Sequence, residues 1–281
     1  MLTQVKAYSS LPSAPTLFLS EVGRAETDFV QIRDIEGLDP VAASIGMVPY
    51  GSSDGEDYVG SSVLSRNIVL TIHPNPDWNV WTYEALRRLL YVYFQPKQRV
   101  RLVFYSDDMN EVDIRGYVES FAANMFSKDP EYLASIICPS PYFKTIDPVV
   151  LTGNANLEIP ITINYNGNIP GGILLKLEST VGTANEVTIT VGKQKFNVKA
   201  SPIADDDCYF QMCSFPMQKA ITRYETSDVD QSKGISLLSN LNVAQGSEWP
   251  LLQPGDNTFN VETDAGTQHW TLEYFELFGG L

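Results

Sequence analysis

Seven short segments in which apolar and polar residues alternate follow one another after residue 150, and they constrain the fold more than any other feature. Alternation with a period of two is typical of a strand with one buried and one exposed face. The segments are ILLKLEST, EVTITV, KFNV, CYFQMCSF, KAITRYET, NTFNVET and HWTLEYFELF. A weak helical pattern, SKGISLLSNL at 232–241, is the exception. Many short strands of this kind predict a β-sandwich.

One helix is predicted in the first half of the chain, within the segment PDWNVWTYEALRRLLYVYFQP. Its apolar residues recur at spacings of three and four, which places them on one face of a helix. They are Trp78, Trp81, Ala85, Leu89 and Val92, with Leu86, Leu90 and Tyr93 widening the stripe. Asp77 or Asn79 can cap the start, and Pro96 ends the helix because it disfavours helical geometry at Gln95. The predicted length is about 12–15 residues.

Strands are predicted around this helix, so the first half is expected to be β-rich as well. SRNIVLTIH precedes the helix, RVRLVFY and EVDIRGYVESF follow it as a hairpin, and EYLASIIC is a further strand with Leu133, Ser135 and Ile137 on one face. The first 60 residues are predicted to be irregular and turn-rich, and the acidic stretch YGSSDGEDYVGSS at 50–62 to be an exposed loop or arm. A length of 281 residues suits two domains.

The charge of the chain argues against several functions. Its 34 acidic and 19 basic residues give a net charge of −15 at pH 7, whereas nucleic acids and anionic membranes are bound by clustered Lys and Arg. The longest apolar run, LLYVYF at 89–94, is far shorter than a membrane span. The N-terminal segment does not have the pattern of a signal peptide, and three cysteines do not make a disulfide framework. We therefore expect synthesis in a reducing cytoplasm.

Few residues are candidates for catalysis or metal binding. His73 and His269 lie in different halves of the chain, so neither a His-rich zinc site nor a Ser-His-Asp triad is expected. Cys138 ends an apolar strand without a nearby imidazole, and Cys208 and Cys213 are predicted to point to opposite faces of one strand. The acidic clusters fall in loops or turns, and they are Asp54/Glu56/Asp57, Asp107/Asp108/Glu111/Asp113 and Asp205/Asp206/Asp207. No enzyme, metal site or cofactor is therefore predicted.

A sugar-binding surface is the second function that the residues allow. Trp249, Trp270 and Tyr274 could line an aromatic face of the second sandwich, although aromatic residues pack in cores and interfaces more often. The segment NYNGNIPGG at 164–172 is rich in glycine but lacks the lysine and the following helix of a phosphate-binding loop. A β-turn is predicted there instead.

The order of these elements resembles that of phage distal tail proteins, the Dit family. The segment RNIVLTIHPNPDWNVWTYEALRRLLYVYFQPKQRVRLVF is similar to the strand–helix–strand core of the family. RGYVESF followed by EYLASIICPSPYF is similar to the elements that lead into its second domain. LQPGDNTFNVET and WTLEYFELFGGL resemble the turn and closing strand of the family's galectin-like C-terminal sandwich. The resemblance is densest over residues 63–148 and 250–281.

The resemblance implies a mainly β protein with three parts. Residues 1–138 would form a tail-tube-like domain that assembles into a ring, and residues 151–281 a galectin-like sandwich. Residues 139–150 would be a linker that Pro139, Pro141 and Pro148 stiffen.

The resemblance also implies a structural virion protein at the tail tip, in a ring of six copies. The ring would contact a tail-tube protein on one face and a tail hub protein on the other, with receptor-binding proteins as further partners. The arm at 50–62 and the hairpins around 107–111 are candidates for strand addition to a neighbouring subunit. Six copies with a charge of −15 each would repel DNA passing through the ring, and slower DNA release after charge reversal of lumen acids would test this.

Overall fold

The chain divides into two compact units in the computed structural model. The structure describes residues 2–9, 16–21, 30–74, 82–107, 111–124, 130–156, 160–228, 230–239 and 241–281. The first unit consists of Met1–Ile146 with Phe278–Leu281, and the second of Asp147–Leu277. The division falls inside the segment 139–150 that the resemblance implies to be a linker. Within that segment, Phe143–Thr145 is a strand paired with the sheet of the first unit.

The first unit is built on an antiparallel sheet and one helix. Its strands are β1 Leu2–Ser9, β2 Leu17–Glu21, β3 Val30–Glu36, β4 Ala43–Pro49, β5 Glu56–Val63, β6 Arg66–Pro74, β7 Arg99–Ser106, β8 Val112–Ala123, β9 Tyr132–Cys138 and β10 Phe143–Thr145. The strand order in the main sheet is β2-β1-β7-β8-β9-β6-β3, and β10 lies beside the start of β8. One face of this sheet and the helix α1, Tyr83–Phe94, enclose a single apolar core.

The described residues among the first 60 are not irregular, so that prediction was wrong. They contribute five strands, of which β1 pairs with β7 and β2, and β3 pairs with β6. Local turn chemistry is overridden here because the partners lie far along the chain and pairing with them satisfies the backbone.

The helix begins later than predicted. Thr82 is the N-cap, and its hydroxyl accepts a hydrogen bond from the Ala85 amide at 3.2 Å. Asp77 and Asn79, the predicted caps, lie outside the described residues together with Trp78 and Trp81. The predicted end and length are confirmed, since the helix has 12 residues and Gln95 before Pro96 is extended with ψ 132°. Its fully buried residues are Leu86, Leu90, Tyr93 and Phe94, while Leu89 and Val92 at the predicted centre are only half-buried. The helix α1 is not long and apolar enough to cross a membrane.

Strand β9 buries the face opposite to that of Leu133, Ser135 and Ile137, the residues predicted to share one face. Tyr132, Ala134 and Ile136 are buried in the core, whereas Leu133 is 47% exposed. A strand that alternates between apolar and small residues on both faces leaves its orientation undetermined, because a shift of one residue exchanges the two faces.

The second unit consists of two antiparallel sheets around a separate core. Its strands are β11 Val149–Asn154, β12 Ile161–Tyr165, β13 Gly171–Val181, β14 Ala184–Val191, β15 Gln194–Ala204, β16 Cys208–Cys213, β17 Ala220–Glu225, β18 Ile235–Ser236, β19 Leu251–Leu252, β20 Gly255–Thr263 and β21 Thr267–Tyr274. The last strand, β22 Leu277–Phe278, lies at the boundary between the units and pairs with β10 in the main sheet. One sheet has the order β11-β21-β13-β16-β17-β18 and the other the order β12-β20-β14-β15. The prediction of a mainly β chain is confirmed, and the galectin-like character of this unit stays a prediction.

The weak helix at 232–241 does not form among the described residues. Ile235–Ser236 is instead a short strand paired with β17 at the sheet edge. A short stretch next to an edge strand gains more from backbone pairing than from one isolated helical turn, whose nucleation is costly.

Tyr165 is a buried hydrogen-bonding centre of the second unit. Its hydroxyl donates to the Ile169 carbonyl at 2.9 Å and accepts from the Leu277 amide at 2.9 Å. Burial raises the pKa of this phenol to about 12. A Cβ atom at Gly167 or Gly171 would lie 2.5 or 2.6 Å from the hydroxyl oxygen. The glycine-rich segment therefore passes so close to this side chain that larger residues would displace it.

Replacing Tyr165 with phenylalanine is expected to lower the free energy of unfolding of the second unit by about 1–3 kcal/mol. The reason is that the Leu277 amide and the Ile169 carbonyl lose their partner in a buried place. Chemical denaturation measures the loss. Tyr274→Phe is the matched control, since Tyr274 is 3% exposed and its hydroxyl has no hydrogen bond to another described residue. Equal losses in the two variants would contradict this explanation.

Candidate interaction surface

The two candidate histidines belong to different units of the structure. His73 lies at the end of β6 in the first unit, and His269 lies on β21 in the second unit, with its Nδ1 3.4 Å from the Asn154 Oδ1. Among the described residues there is no group of three or more His, Cys, Asp or Glu that could hold a metal ion.

The cysteines are buried or half-buried thiols on strands. Cys138 is buried at the end of β9, and this burial raises the pKa of its thiol to about 12. Cys208 is buried at the start of β16, where burial and then the neighbouring Asp205 raise its pKa to about 11. A thiol with such a pKa is protonated near neutral pH and is a poor nucleophile.

The acidic cluster Asp205/Asp206/Asp207 lies in the turn between β15 and β16. The Asp205 carboxylate accepts hydrogen bonds from the amides of Asp207 and Cys208, both at 2.9 Å, so it stabilises the turn. An open cavity of about 440 Å³ beside this turn is lined by groups of both charges, including Arg223 and Lys233. The cluster is thus part of the local backbone geometry.

The cluster around residue 110 is divided by the fold. Asp108 lies outside the described residues. Asp113 on β8 is fully buried and is contacted by Arg101 and Arg115. It is therefore an ion-paired residue of the sheet rather than a solvated acid of a turn.

The predicted sugar-binding platform does not form. Trp270 and Tyr274 are each 3% exposed and lie in the core of the second unit, because residues 270, 272 and 274 share the inner face of β21. Trp249 is half-buried, with its ring 4.8 Å from that of Phe196 and the Lys219 ammonium 5.5 Å from its centre. These three residues therefore offer no common flat surface for a sugar ring.

The acidic arm predicted at 50–62 is part of a β-hairpin. Strands β4 and β5 pair with each other in a separate two-stranded sheet, and the segment 50–55 connects them. We call residues 43–63 the assembly hairpin. Asp54, Glu56 and Asp57 lie at its tip, where the Tyr50 hydroxyl donates to Asp57 at 2.6 Å.

The assembly hairpin exposes apolar side chains that would normally be buried. Ile45 is 60% exposed, Met47 46% and Tyr58 62%. Ile45 pairs with Ser61 and Met47 with Tyr58, so these side chains share one face of the hairpin. None of the hairpin residues belongs to the core of the first unit. A two-stranded hairpin is only marginally stable alone in water, and a contiguous apolar patch often marks a protein interface.

The base of the assembly hairpin is held in place by a buried arginine. Arg66 at the start of β6 is 2% exposed, and its guanidinium donates to the carbonyls of Gly37 and Asp39 just before β4. It also donates to the carbonyls of Pro141 and Gly279. Four chain segments therefore meet at one cation, which holds the base of the hairpin in a fixed position.

Comparison with known proteins gives one structural likeness strong enough to argue from. No protein-family model and no curated protein matches the chain. The chain is similar to the crystal structure of the SPP1 Dit (gp 19.1) protein, which is described as a paradigm of the hub adsorption apparatus in phages infecting Gram-positive bacteria. The match covers 98% of this chain and 99% of the SPP1 chain, with a TM-score of 0.65 and 13% sequence identity. Two structures of the phage p2 baseplate in its activated conformation also match. The one with Sr has a TM-score of 0.42 and 8% identity and covers 96% of this chain and 97% of its own. The one with Ca has a TM-score of 0.41 and 9% identity and covers 97% of this chain and 98% of its own. The resemblance found in the sequence is thereby confirmed for the fold: over nearly its whole length, this chain has the fold of the SPP1 Dit protein.

Proposed function

We propose that this chain is a structural protein of a phage virion, located at the tail tip as the hub of the adsorption apparatus. The observation that carries this proposal is the likeness to the SPP1 Dit protein, which extends through both units. A fold by itself supports many functions. The proposal therefore also needs a surface that suits assembly, and the assembly hairpin provides it.

The assembly hairpin supports a ring of identical copies, and six is the number that the family resemblance implies. Its exposed apolar face and its exposed strand edges have no cover from the residues of the first unit that the structure describes. Contact with a neighbouring copy would remove both from water. When each copy donates a hairpin and receives another, the contact is head-to-tail, and such contacts close into rings when the rotation allows.

The partners follow from this arrangement. The first unit would form the ring between a tail-tube protein and a tail hub protein, and the second unit would face the adsorption apparatus with its receptor-binding proteins. DNA would pass through the ring without sequence-specific contacts, consistent with the net charge of −15 per copy. We propose no enzymatic activity, since the similar structure is that of a hub adsorption protein.

The mass of the purified protein in solution, measured by light scattering, tests the ring. We expect a particle of six times 31.2 kDa, and negative-stain images of the same fraction should show a central opening. A chain that stays monomeric at every concentration measured would contradict the ring. In that case a glycan screen would test the alternative, a carbohydrate-binding module, for which the buried Trp270 and Tyr274 offer no support.

A further inference from the structure

The outward side of the main sheet in the first unit carries a concentration of positive charge. Cross-strand pairing brings side chains from β1, β7, β8 and β10 into neighbouring rows on one side. The rows are Lys6–Val103–Asp113–Lys144, Tyr8–Arg101–Arg115 and Arg99–Tyr117. We call the five cations of these rows the basic face. In a chain with 34 acidic and 19 basic residues, five cations in neighbouring rows are a local concentration of basic side chains.

Asp113 is the one carboxylate within these rows, and it does not neutralise the basic face. It is fully buried, with its Oδ2 3.6 Å from the Arg115 Nε and in contact with the Arg101 Nε. Its Oδ1 is buried without a hydrogen-bond partner among the described residues. Asp113 contacts two of the five cations, Arg101 and Arg115, and these rows contain no second carboxylate. Arg115 keeps 48% of its side chain exposed and Arg101 31%, and Arg99 is exposed as well, so the three arginines of the basic face reach the solvent.

The basic face also offers apolar contact area. Tyr117 lies directly beside Arg99 in the sheet and is 49% exposed. Further along β8, Glu119 accepts a hydrogen bond from Ser135 at 2.8 Å, which marks the acidic border of the surface. A partner for the basic face must therefore combine negative charge with apolar side chains.

The assembly hairpin has both properties. It contains Asp54, Glu56 and Asp57 but no Lys or Arg, and its apolar face is exposed. We propose that the basic face of one copy receives the assembly hairpin of a second copy, with the hairpin carboxylates on the cations and Tyr58 or Met47 against Tyr117. This inference rests on the proposed ring and names the surface that accepts the hairpin.

A second copy suits the basic face better than a nucleic acid does. Nucleic acids are bound by clustered Lys and Arg, and the net charge of −15 repels a polyanion that extends beyond this small face. Charge complementarity also fixes the direction of the contact between two copies. Two hairpins or two basic faces placed together would bring like charges into contact, whereas a hairpin on a basic face joins opposite charges. The head-to-tail contact is therefore favoured over a symmetric pair.

Charge reversal on each surface tests the proposal in the full chain. The hairpin variant is Asp54→Lys/Glu56→Lys/Asp57→Lys, and the face variant is Arg99→Glu/Arg115→Glu. Each variant alone should need at least about tenfold more protein for half-maximal assembly, measured by sedimentation. An equimolar mixture should assemble again, because every contact in an alternating ring then joins opposite charges. Assembly of the unchanged chain should weaken in about 0.5 M NaCl.

Controls separate the possible outcomes. Lys193→Glu and Glu262→Lys change exposed charges of the second unit and should leave assembly unchanged. Arg115 contacts Asp113, so Arg99→Glu/Arg115→Gln replaces the face variant if the latter fails to fold. Variants that assemble as the unchanged chain does would overturn this inference and leave the ring intact. Loss of heparin or DNA binding in the face variant, with assembly unchanged, would assign the basic face to a polyanion. An unchanged chain that never self-associates would overturn both proposals.

Discussion

Replacing Ile45, Met47 and Tyr58 with serine is expected to convert the assembled ring into monomers. Each side chain is about half exposed or more in the isolated chain, and burying such a side chain contributes about 1.5–3 kcal/mol. Allowing for non-additive effects, the triple variant should weaken each contact by about 4 kcal/mol, or roughly a thousandfold. Light scattering at a protein concentration where the unchanged chain is fully assembled measures the effect.

The folded state of each copy should survive this change, because the three side chains lie outside the core of the first unit. Thermal unfolding of the monomer provides that check. Val150→Ser and Leu238→Ser form the matched control, since these side chains are 51% and 52% exposed but belong to the second unit. They should leave the mass of the particle unchanged. A triple variant with the full mass would show that the assembly hairpin does not hold the copies together.

Replacing Arg66 with methionine is expected to destabilise the first unit by about 3–5 kcal/mol. Methionine preserves much of the volume but removes every donor from the carbonyls of Gly37, Asp39, Pro141 and Gly279. It also removes the stacking of the guanidinium on Phe143, whose ring centre lies 4.5 Å away. Burial lowers the pKa of Arg66, which indicates that this cation pays a desolvation cost. Methionine relieves that cost, so the loss is smaller than four separate unsatisfied carbonyls would give.

Hydrogen exchange gives a local measurement for this variant. The Leu281 amide donates to the Leu38 carbonyl beside the arginine, and its exchange should accelerate along with that of the surrounding segment. Arg33→Met is the control: Arg33 forms an ion pair with Glu131 in which both side chains are about 40% exposed, and such a pair contributes about 0–1 kcal/mol. Equal destabilisation in the two variants would mean that the carbonyl contacts of Arg66 contribute little.

The predictions from the sequence succeeded where the signal was local. Pro96 ended the helix as expected, because its effect on Gln95 acts through the adjacent peptide. The alternating segments after residue 150 all lie in or overlap strands of the second unit. The sequence analysis could not find the role of Arg66, because Gly37, Pro141 and Gly279 are distant from it along the chain. An arginine at the start of a buried strand was the one available signal.

The sequence by itself determined that the chain is mainly β with one helix. The spacing of apolar residues and the effect of proline on the preceding residue are both local, so they can be seen without the tertiary structure. It also indicated the resemblance that the fold confirms. Only the tertiary structure decided that β9 buries Ala134 rather than Leu133, that residues 43–63 form a hairpin in solvent, and that cations from four strands share one face. These features depend on strand register and on which distant segments pair, and register is fixed by the packing of the whole sheet.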